Sequence, residues 1–381
     1  MAQENIFAST KKLGFGLMRL PLLNPSDATS IDLEQVKKMV DIFLAKGFTY
    51  FDTAIMYHAM KSQSAVKEVL TSRHPRDRFT LATKLHCGFF RSLEERDQRF
   101  QEQLQQTGVE YFDYYLLHDM STDHYPIYTK FDCFNWLKQK KAQGLVRHIG
   151  FSYHDNAALL DKILTEHPEM EFVQLQLNYL DWESPSVQSR KCYEVCEKHG
   201  KPVVVMEPVR GGTLANVPPT VSALFQAHHP EFSVPSWAIR FAASHPNVKV
   251  VLSGMSNLEQ MADNASYMED FQPLDAEELG VVQQAVEAIR ASLAISCTGC
   301  SYCTEGCPRK IAIPKYFALY NIEKMEENNG SIFHTQGMYY DRLTQLFGKA
   351  SACIGCGQCE GICPQHLPII QYLKDVAKQF E

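Results

Sequence analysis

An acid, a phenol, an amine and an imidazole stand at comparable places along this chain. Asp52 closes the apolar run Thr49-Tyr50-Phe51, and Tyr57 follows five residues later in the next loop. Lys84 lies near the end of Leu81-Ala82-Thr83-Lys84-Leu85, and His118 ends Tyr115-Leu116-Leu117-His118. Together these four types can manage the proton in a carbonyl reduction. A free phenol of pKa about 10 is a sluggish donor at neutral pH. A neighbouring ammonium favours the phenolate and is expected to draw that pKa down. Lys84 can do this for Tyr57 only if it is held in place, and Asp52 can hold it by pairing with the ammonium. His118 can donate a hydrogen bond to the carbonyl oxygen and fix its orientation. Singly, each has a plainer reading as a helix cap, a solvated rim lysine or a structural histidine. Their recurrence at one end of consecutive strands carries the argument.

For those strand ends to meet, the strands must be parallel. From Lys12 to about Met255, short β-branched or aromatic runs alternate with segments of helical period. The strands expected are Leu13–Leu20, Thr49–Thr53, Phe79–Leu85, Tyr111–His118, Val146–Ser152, Phe172–Leu177, Pro202–Pro208 and Val248–Ser253. Between them the period predicts helices such as Ile31–Lys46, Leu93–Thr107 and Pro235–Ser244. Eight such units over about 250 residues are the size of a (β/α)8 TIM barrel, whose chemistry sits at the C-terminal strand ends. The rival is a doubly wound open sheet, which needs Gly-x-Gly-x-x-Gly after its first strand. Gly14-Phe15-Gly16 is followed instead by Leu17-Met18-Arg19. The expected architecture is α/β, a barrel over residues 1–285 followed by a small, mostly α-helical domain over 286–381.

Gly47-Phe48-Thr49-Tyr50-Phe51-Asp52-Thr53-Ala54 with Tyr57, Lys84 and Leu116-Leu117-His118 resembles the aldo-keto reductase family. The likeness runs from about Leu13 to Asn264 and implies a barrel binding NADP(H), or less often NAD(H), at its rim. The family's catalytic tetrad falls on Asp52, Tyr57, Lys84 and His118. The resemblance further implies cofactor contacts at Gly16 and Met18, at Ser152 and Gln174 for the nicotinamide carboxamide, and at Met206 and Pro208. It extends them to Arg210 and Gly212 near the pyrophosphate and to Ser253, Ser256, Gln260 and Asn264 around the adenosine half. The family's usual asparagine after Ser152 is Tyr153 here, and Met206 stands where a tyrosine often stacks. Gly254 and Gln260 replace a common Lys and Arg pair for the 2′-phosphate, so NAD(H) stays open beside the favoured NADP(H).

Eight of the 12 cysteines lie in two C-terminal runs. Cys297-x2-Cys300-x2-Cys303-x3-Cys307-Pro308 is followed by Cys353-x2-Cys356-x2-Cys359-x3-Cys363-Pro364. In this spacing the fourth cysteine serves the other cluster. Cys297, Cys300, Cys303 and Cys363 are expected to hold one [4Fe–4S] cluster, and Cys353, Cys356, Cys359 and Cys307 the second. A structural zinc site is the alternative, against which stand two complete copies with both prolines. Gly299, Gly355 and Gly357 let the backbone wrap sulfur closely. The long connection between the runs, with helical segments at 313–320 and 339–347, resembles the α-helical ferredoxin type. Barrels carrying such a module resemble one branch of the aldo-keto reductases.

At 381 residues, 45% apolar and 21% charged, the chain is ordinary globular material of formal charge −7. No basic stripe marks a nucleic-acid surface, and no apolar run long enough for a membrane span occurs. Met1–Thr10 lacks a signal pattern, so a cytoplasmic location is expected. Two functions remain in view. The first is reduction of a small aldehyde or ketone, or oxidation of the alcohol. The alternative is electron transfer, in which the clusters pass single electrons between NAD(P)H and a redox-protein partner. A non-catalytic barrel conflicts with the intact tetrad.

Overall fold

β-branched and aromatic runs, each followed by an amphipathic segment, fold here as strand and helix in alternation. The computed structural model describes residues 6–8, 10–184, 187–291, 293–295, 297, 299, 301–328, 335–363 and 366–381. The strands are β1 (Leu13–Gly16), β2 (Tyr50–Asp52), β3 (Thr80–Leu85), β4 (Phe112–Met120), β5 (Val146–Tyr153), β6 (Phe172–Gln176), β7 (Val203–Met206) and β8 (Val248–Ser253). Each pairs in parallel with the next, and β8 returns to β1 to close the barrel. Closure excludes the open-sheet rival. The helices that follow β1 to β8 in turn are α1 (Leu33–Ala45), α2 (Ser62–Val66), α3 (Leu93–Thr107), α4 (Cys133–Ala142), α5 (Ala157–Glu166), α6 (Ser189–Lys198), α7 (Val234–Ser244) and α8 (Leu258–Met268).

Helix α1 shows how the local signals act. The Asp32 side chain caps it by accepting the Gln35 N–H, which satisfies one of the donors a helix start leaves over. Val36, Met39, Val40, Phe43 and Leu44 are its buried face, at the spacing of one helical stripe. Two expectations shift. β1 stops at Gly16 because the chain turns there, with the Leu17 N–H donating to the Asp52 carbonyl. α2 runs into a π-helical turn over Lys67–Thr71, a register change that hydrophobic period does not reveal.

The barrel interior follows the two-residue alternation of strands. Tyr50, Ala82, Tyr114, Leu116, Phe172, Val204, Val250 and Leu252 form one buried cluster with Phe7. Phe7 stacks on Tyr114, ring centroids 5.0 Å apart. At Gly150 of β5 a Cβ would lie 2.5 Å from the Phe172 carbonyl oxygen, so only glycine lets β5 and β6 close at that level. One step further along the same parity come Asp52, Lys84, His118, Ser152, Gln174 and Met206. The alternation that fills the core therefore also aims the expected site residues.

The chain divides into two units, Met1–Leu177 with Lys191–Pro208 and Ala238–Leu274, and Asn178–Arg190 with Val209–Trp237 and Asp275–Glu381. The second contains α9 (Ala276–Ala291), α10 (Ile313–Asn328), α11 (Gln336–Leu346) and α12 (Ile369–Phe380). Its core gathers Ile311, Tyr316, Phe317, Tyr340, Leu373 and Val376. Ile311 and Gly348 form a parallel bridge. Among the described residues no helix is long and apolar enough to cross a membrane.

Candidate active site

The structure brings the four strand-end residues together. Lys84 is fully buried, and its Nζ donates to Asp52 Oδ1 at 2.5 Å, to the Thr53 carbonyl at 3.0 Å and to the Tyr57 hydroxyl at 3.3 Å. The ammonium thus sits between a carboxylate and a phenol. The Tyr57 and His118 rings meet edge to face, centroids 6.1 Å apart. His118 is 8% exposed, and Tyr57 is half-buried.

The electrostatics correct one expectation. Burial raises the Tyr57 pKa above that of a free phenol, and the pull of Lys84 in the other direction does not overcome it. Asp52 and Glu207 add to the upward push. Lys84 therefore moderates the rise and does not bring the phenol toward neutrality. Burial opposes the Lys84 charge, but Asp52 and Tyr57 hold its pKa above that of an ordinary lysine. Burial also lifts the Asp52 carboxyl; with an ammonium at 2.5 Å, the two stand as an ion pair at neutral pH. Burial, with Lys84 next, drives His118 well below the usual histidine value. At pH 7 the site holds a neutral phenol, a neutral imidazole and one buried ion pair.

Two supports escaped the sequence reading. Tyr128 is buried, its hydroxyl within hydrogen-bond reach of the carbonyls of Leu85 and His118 and accepting the Cys87 N–H. It is a strut tying β3 to β4 beneath His118. The second support is an irregularity. β4 was expected to end at His118 but runs on to Met120, with a register shift against β5 between Leu117 and Met120. Asp119 takes φ 57° there. Bulges of this kind re-aim side chains beside active sites. The Asp119 N–H donates to Ser152 Oγ at 2.8 Å. A lone aspartate after a histidine gives no sequence signal of such a bend.

The expected nicotinamide contacts, Ser152 and Gln174, are register partners on β5 and β6. Ser152 Oγ accepts the Asp119 N–H and keeps its own hydrogen to donate. Gln174 Oε1 is buried with no hydrogen-bond partner. A donor beside an orphaned acceptor matches the two ends of a carboxamide, so these residues fit a nicotinamide. Gly16 ends β1, and Met18 lies half-buried in the turn beyond it. Met206 ends β7, half-buried, and Pro208 is buried. Glu207 between them takes φ 55° and faces Arg19 at 3.9 Å.

On the adenosine side the polar groups bond among themselves. Asn264 donates to Ser253 Oγ at 2.8 Å and accepts the Tyr267 hydroxyl at 2.5 Å. Ser253 thus faces α8 and lies off the inward parity of β8. Ser256 Oγ donates to the Arg19 carbonyl, and its N–H donates to Gln260 Oε1. Asn257, which the sequence reading passed over, caps α8 by accepting the Gln260 N–H at 2.8 Å. In the second unit Gly211 and Gly212 take φ 64° and 108°, conformations that favour glycine. Arg210, expected to add charge at the pyrophosphate, is buried with its guanidinium 2.9 Å from Asp181.

Cys353, Cys356 and Cys359 of the second run line a small apolar pocket with Cys307, Ile311, Ile313, Ile354 and Leu373. Four thiols in an apolar hollow fit an iron–sulfur cluster. For the other set, Cys297 is half-buried and Cys303 and Cys363 are buried; Cys300 lies outside the described residues. The two runs repeat in conformation. Gly299 and Gly355 take φ 74° and 67°, Ser301 and Gly357 take 68° and 77°, and Lys310 and His366 take 52° and 50°. The backbone keeps its left-handed turns even where serine replaces glycine.

Comparison with known proteins supplies the context. Residues 12–287 match the family described as Aldo/keto reductase family, and 296–367 match the 4Fe-4S dicluster domain. Aldo-keto reductase AKR2E4 of Bombyx mori is 24% identical over 279 residues, 67% of this chain and 83% of that protein. Probable aldo-keto reductase 1 of Glycine max is 29% identical over 240 residues, 58% of this chain and 63% of that protein. Aldo-keto reductase AKR11C1 from Bacillus halodurans, in its holo form, superposes with TM-score 0.57 at 23% identity, over 72% of this chain and 91% of that one. An aldo-keto reductase from Klebsiella pneumoniae in complex with NADPH gives TM-score 0.57 at 19% identity, over 72% and 90%. At these identities the solved structures share the fold.

Proposed function

The chain belongs to the aldo/keto reductase family, and from that premise we propose that it is an NAD(P)H-dependent oxidoreductase interconverting a small aldehyde or ketone with its alcohol. NADP(H) is favoured over NAD(H), supported by the NADPH in the Klebsiella pneumoniae relative. The observation that carries the reading is the single Lys84 ammonium within hydrogen-bond reach of both Asp52 and the Tyr57 hydroxyl.

When bound, the nicotinamide supplies the hydride to the carbonyl carbon. Tyr57 delivers the proton to the carbonyl oxygen from a hydroxyl that burial keeps protonated at neutral pH. Lys84 offsets the charge of the phenolate left behind, and Asp52 holds Lys84 in range. His118, kept neutral, orients the carbonyl oxygen by donating its ring N–H. Ser152 and Gln174 receive the carboxamide. Cys307, Cys353, Cys356 and Cys359 hold one [4Fe–4S] cluster, and Cys297, Cys300, Cys303 and Cys363 the other. The barrel work belongs to residues 1–285 and the iron to 286–381.

A second reading has its own support. Cys356 is exposed, and Ile354 and Ile362 beside the second run are each 56% exposed. An apolar surface at a cluster's edge suits transient docking of a redox protein. Anaerobic mixing with excess NADPH separates the two readings. Loss of NADPH that depends on an added carbonyl, absent in Tyr57→Phe, supports the reductase. Bleaching of the clusters by NADPH at turnover rates, equal in Tyr57→Phe, supports electron transfer and overturns it.

A further inference from the structure

One cluster of metal-binding side chains lies outside the tetrad and the two cysteine runs. We propose that His86, Cys87 and His124 form a mononuclear site for a borderline divalent cation, Zn2+ before others, at the mouth of the barrel. Their ligand atoms all lie within 4.8 Å of one another, the single such grouping among the described residues. Tetrahedral zinc with bonds of about 2.0–2.3 Å asks for ligand atoms roughly 3.5 Å apart. Closing on a cation therefore takes about 1 Å, within reach of two half-buried imidazoles around a buried thiol.

The donor set selects the metal. One sulfur and two imidazoles suit zinc and its neighbours and not calcium or magnesium, which prefer oxygen. A single thiolate cannot carry an iron–sulfur cluster, so this site is chemically distinct from the C-terminal ones. Cys133, Cys192 and Cys196 are also buried, yet none joins such a grouping.

The second shell of His124 is already built. His124 Nδ1 lies 2.7 Å from the Asp119 carbonyl oxygen and 3.4 Å from the Asp119 carboxylate. A ring that donates Nδ1–H to such groups presents the Nε2 lone pair outward, the usual arrangement for a zinc-binding histidine. The bend at Asp119, with φ 57°, turns both oxygens onto that nitrogen. Backbone conformations of this kind are held only where the surroundings enforce them. His86 Nδ1 accepts the N–H of exposed Gly88 at 2.9 Å, so this nitrogen carries a lone pair; when a cation takes it, the Gly88 N–H passes to water. The His86 and His124 rings stand 5.0 Å apart, and His86 lies 5.6 Å from His118. Three protein ligands leave the fourth tetrahedral position to water or another small oxygen ligand.

The test uses the full chain, prepared anaerobically with its iron in place. It is titrated with Zn2+ against a chromogenic chelator, with iron counted before and after. The expected result is one zinc per chain with no loss of iron, and an X-ray absorption spectrum showing one Zn–S distance near 2.3 Å and nitrogen near 2.0 Å. Cys87→Ser and His124→Gln are each expected to weaken binding at least 10-fold. Cys87 is buried and its replacement can disturb folding, so half-buried His124 serves as the independent variant. Absence of tight zinc, a zinc shell without sulfur, or equal binding by His124→Gln would overturn the site.

Discussion

Lys84 Nζ lies 3.3 Å from the Tyr57 hydroxyl, yet the phenol is less acidic than a free tyrosine. Burial wins over the ammonium. The directions of catalysis should then differ in pH response, because reduction needs the protonated phenol and oxidation the phenolate. Carbonyl reduction is expected to stay flat across neutral pH, with alcohol oxidation rising toward pH 10 and beyond. Initial rates in both directions against pH check this. An oxidation rate that levels off near pH 7 would contradict it.

Replacing Lys84 with Met removes the one group that pulls the phenol down. Oxidation is expected to fall more than reduction, with both reduced by about 100-fold or more. The Kd for NADPH, followed by fluorescence, should barely move. A Lys84→Met enzyme with wild-type turnover would disprove the assignment.

Asp52→Asn leaves the Lys84 ammonium buried without its counter-charge. Removing one partner of a buried pair costs about 3–5 kcal/mol. Urea unfolding should show that loss near neutral pH, and Asp52→Asn/Lys84→Met should recover part of it. A double variant no more stable than Asp52→Asn alone would show that the pair is not the cause.

Acid should weaken the fold before its carboxylates matter. His118 is held well below 6.5, and burial with Lys12 lowers His245 to about 4. Both rings stay neutral in the folded chain where the unfolded chain takes up protons. Stability from them is complete above about pH 6.5 and is lost as pH falls toward the folded values. For His245 the loss by pH 4 is on the order of 2–3 kcal/mol. Unfolding free energy measured from pH 7 to 4.5 should fall, and His245→Asn should flatten the slope.

Cys307 lines the cavity of the second run, 46 residues before its first cysteine (353 − 307). Cys307→Ala should therefore strip iron from that site, with about half the iron of the full chain remaining. Iron per chain by colorimetric assay decides it, and unchanged iron would move Cys307 out of the ligand set.

The barrel and the meeting of the strand-end residues Asp52, Lys84 and His118 were legible because one rule, the two-residue alternation of strands, sets both the core and the rim. Tyr50 fixes where Asp52 points, Ala82 does so for Lys84, and Leu116 for His118. Helix α3 was legible to the residue over Leu93–Thr107; the structure adds the Ser92 side chain as its cap and Gly108 at its end. What escaped depends on contacts between distant segments. Tyr128 reads as any loop tyrosine until its oxygen is seen between Leu85 and His118. The bend at Asp119 and the π-helical turn at Lys67–Thr71 are register changes, to which side-chain periodicity is blind. The acidity of Tyr57 was misjudged because residue types disclose a neighbouring charge more readily than the depth at which it acts.

The reach of Cys307 into the later run also fixes an order of events during synthesis. A chain emerging from the ribosome completes β8 long before Cys353, Cys356 and Cys359 exist to meet Cys307. A chain cut before Cys353 would keep every barrel strand and lose three of the four thiols that line the pocket with Cys307. Those four thiols can therefore meet only once Cys359 has emerged, with all eight barrel strands already made.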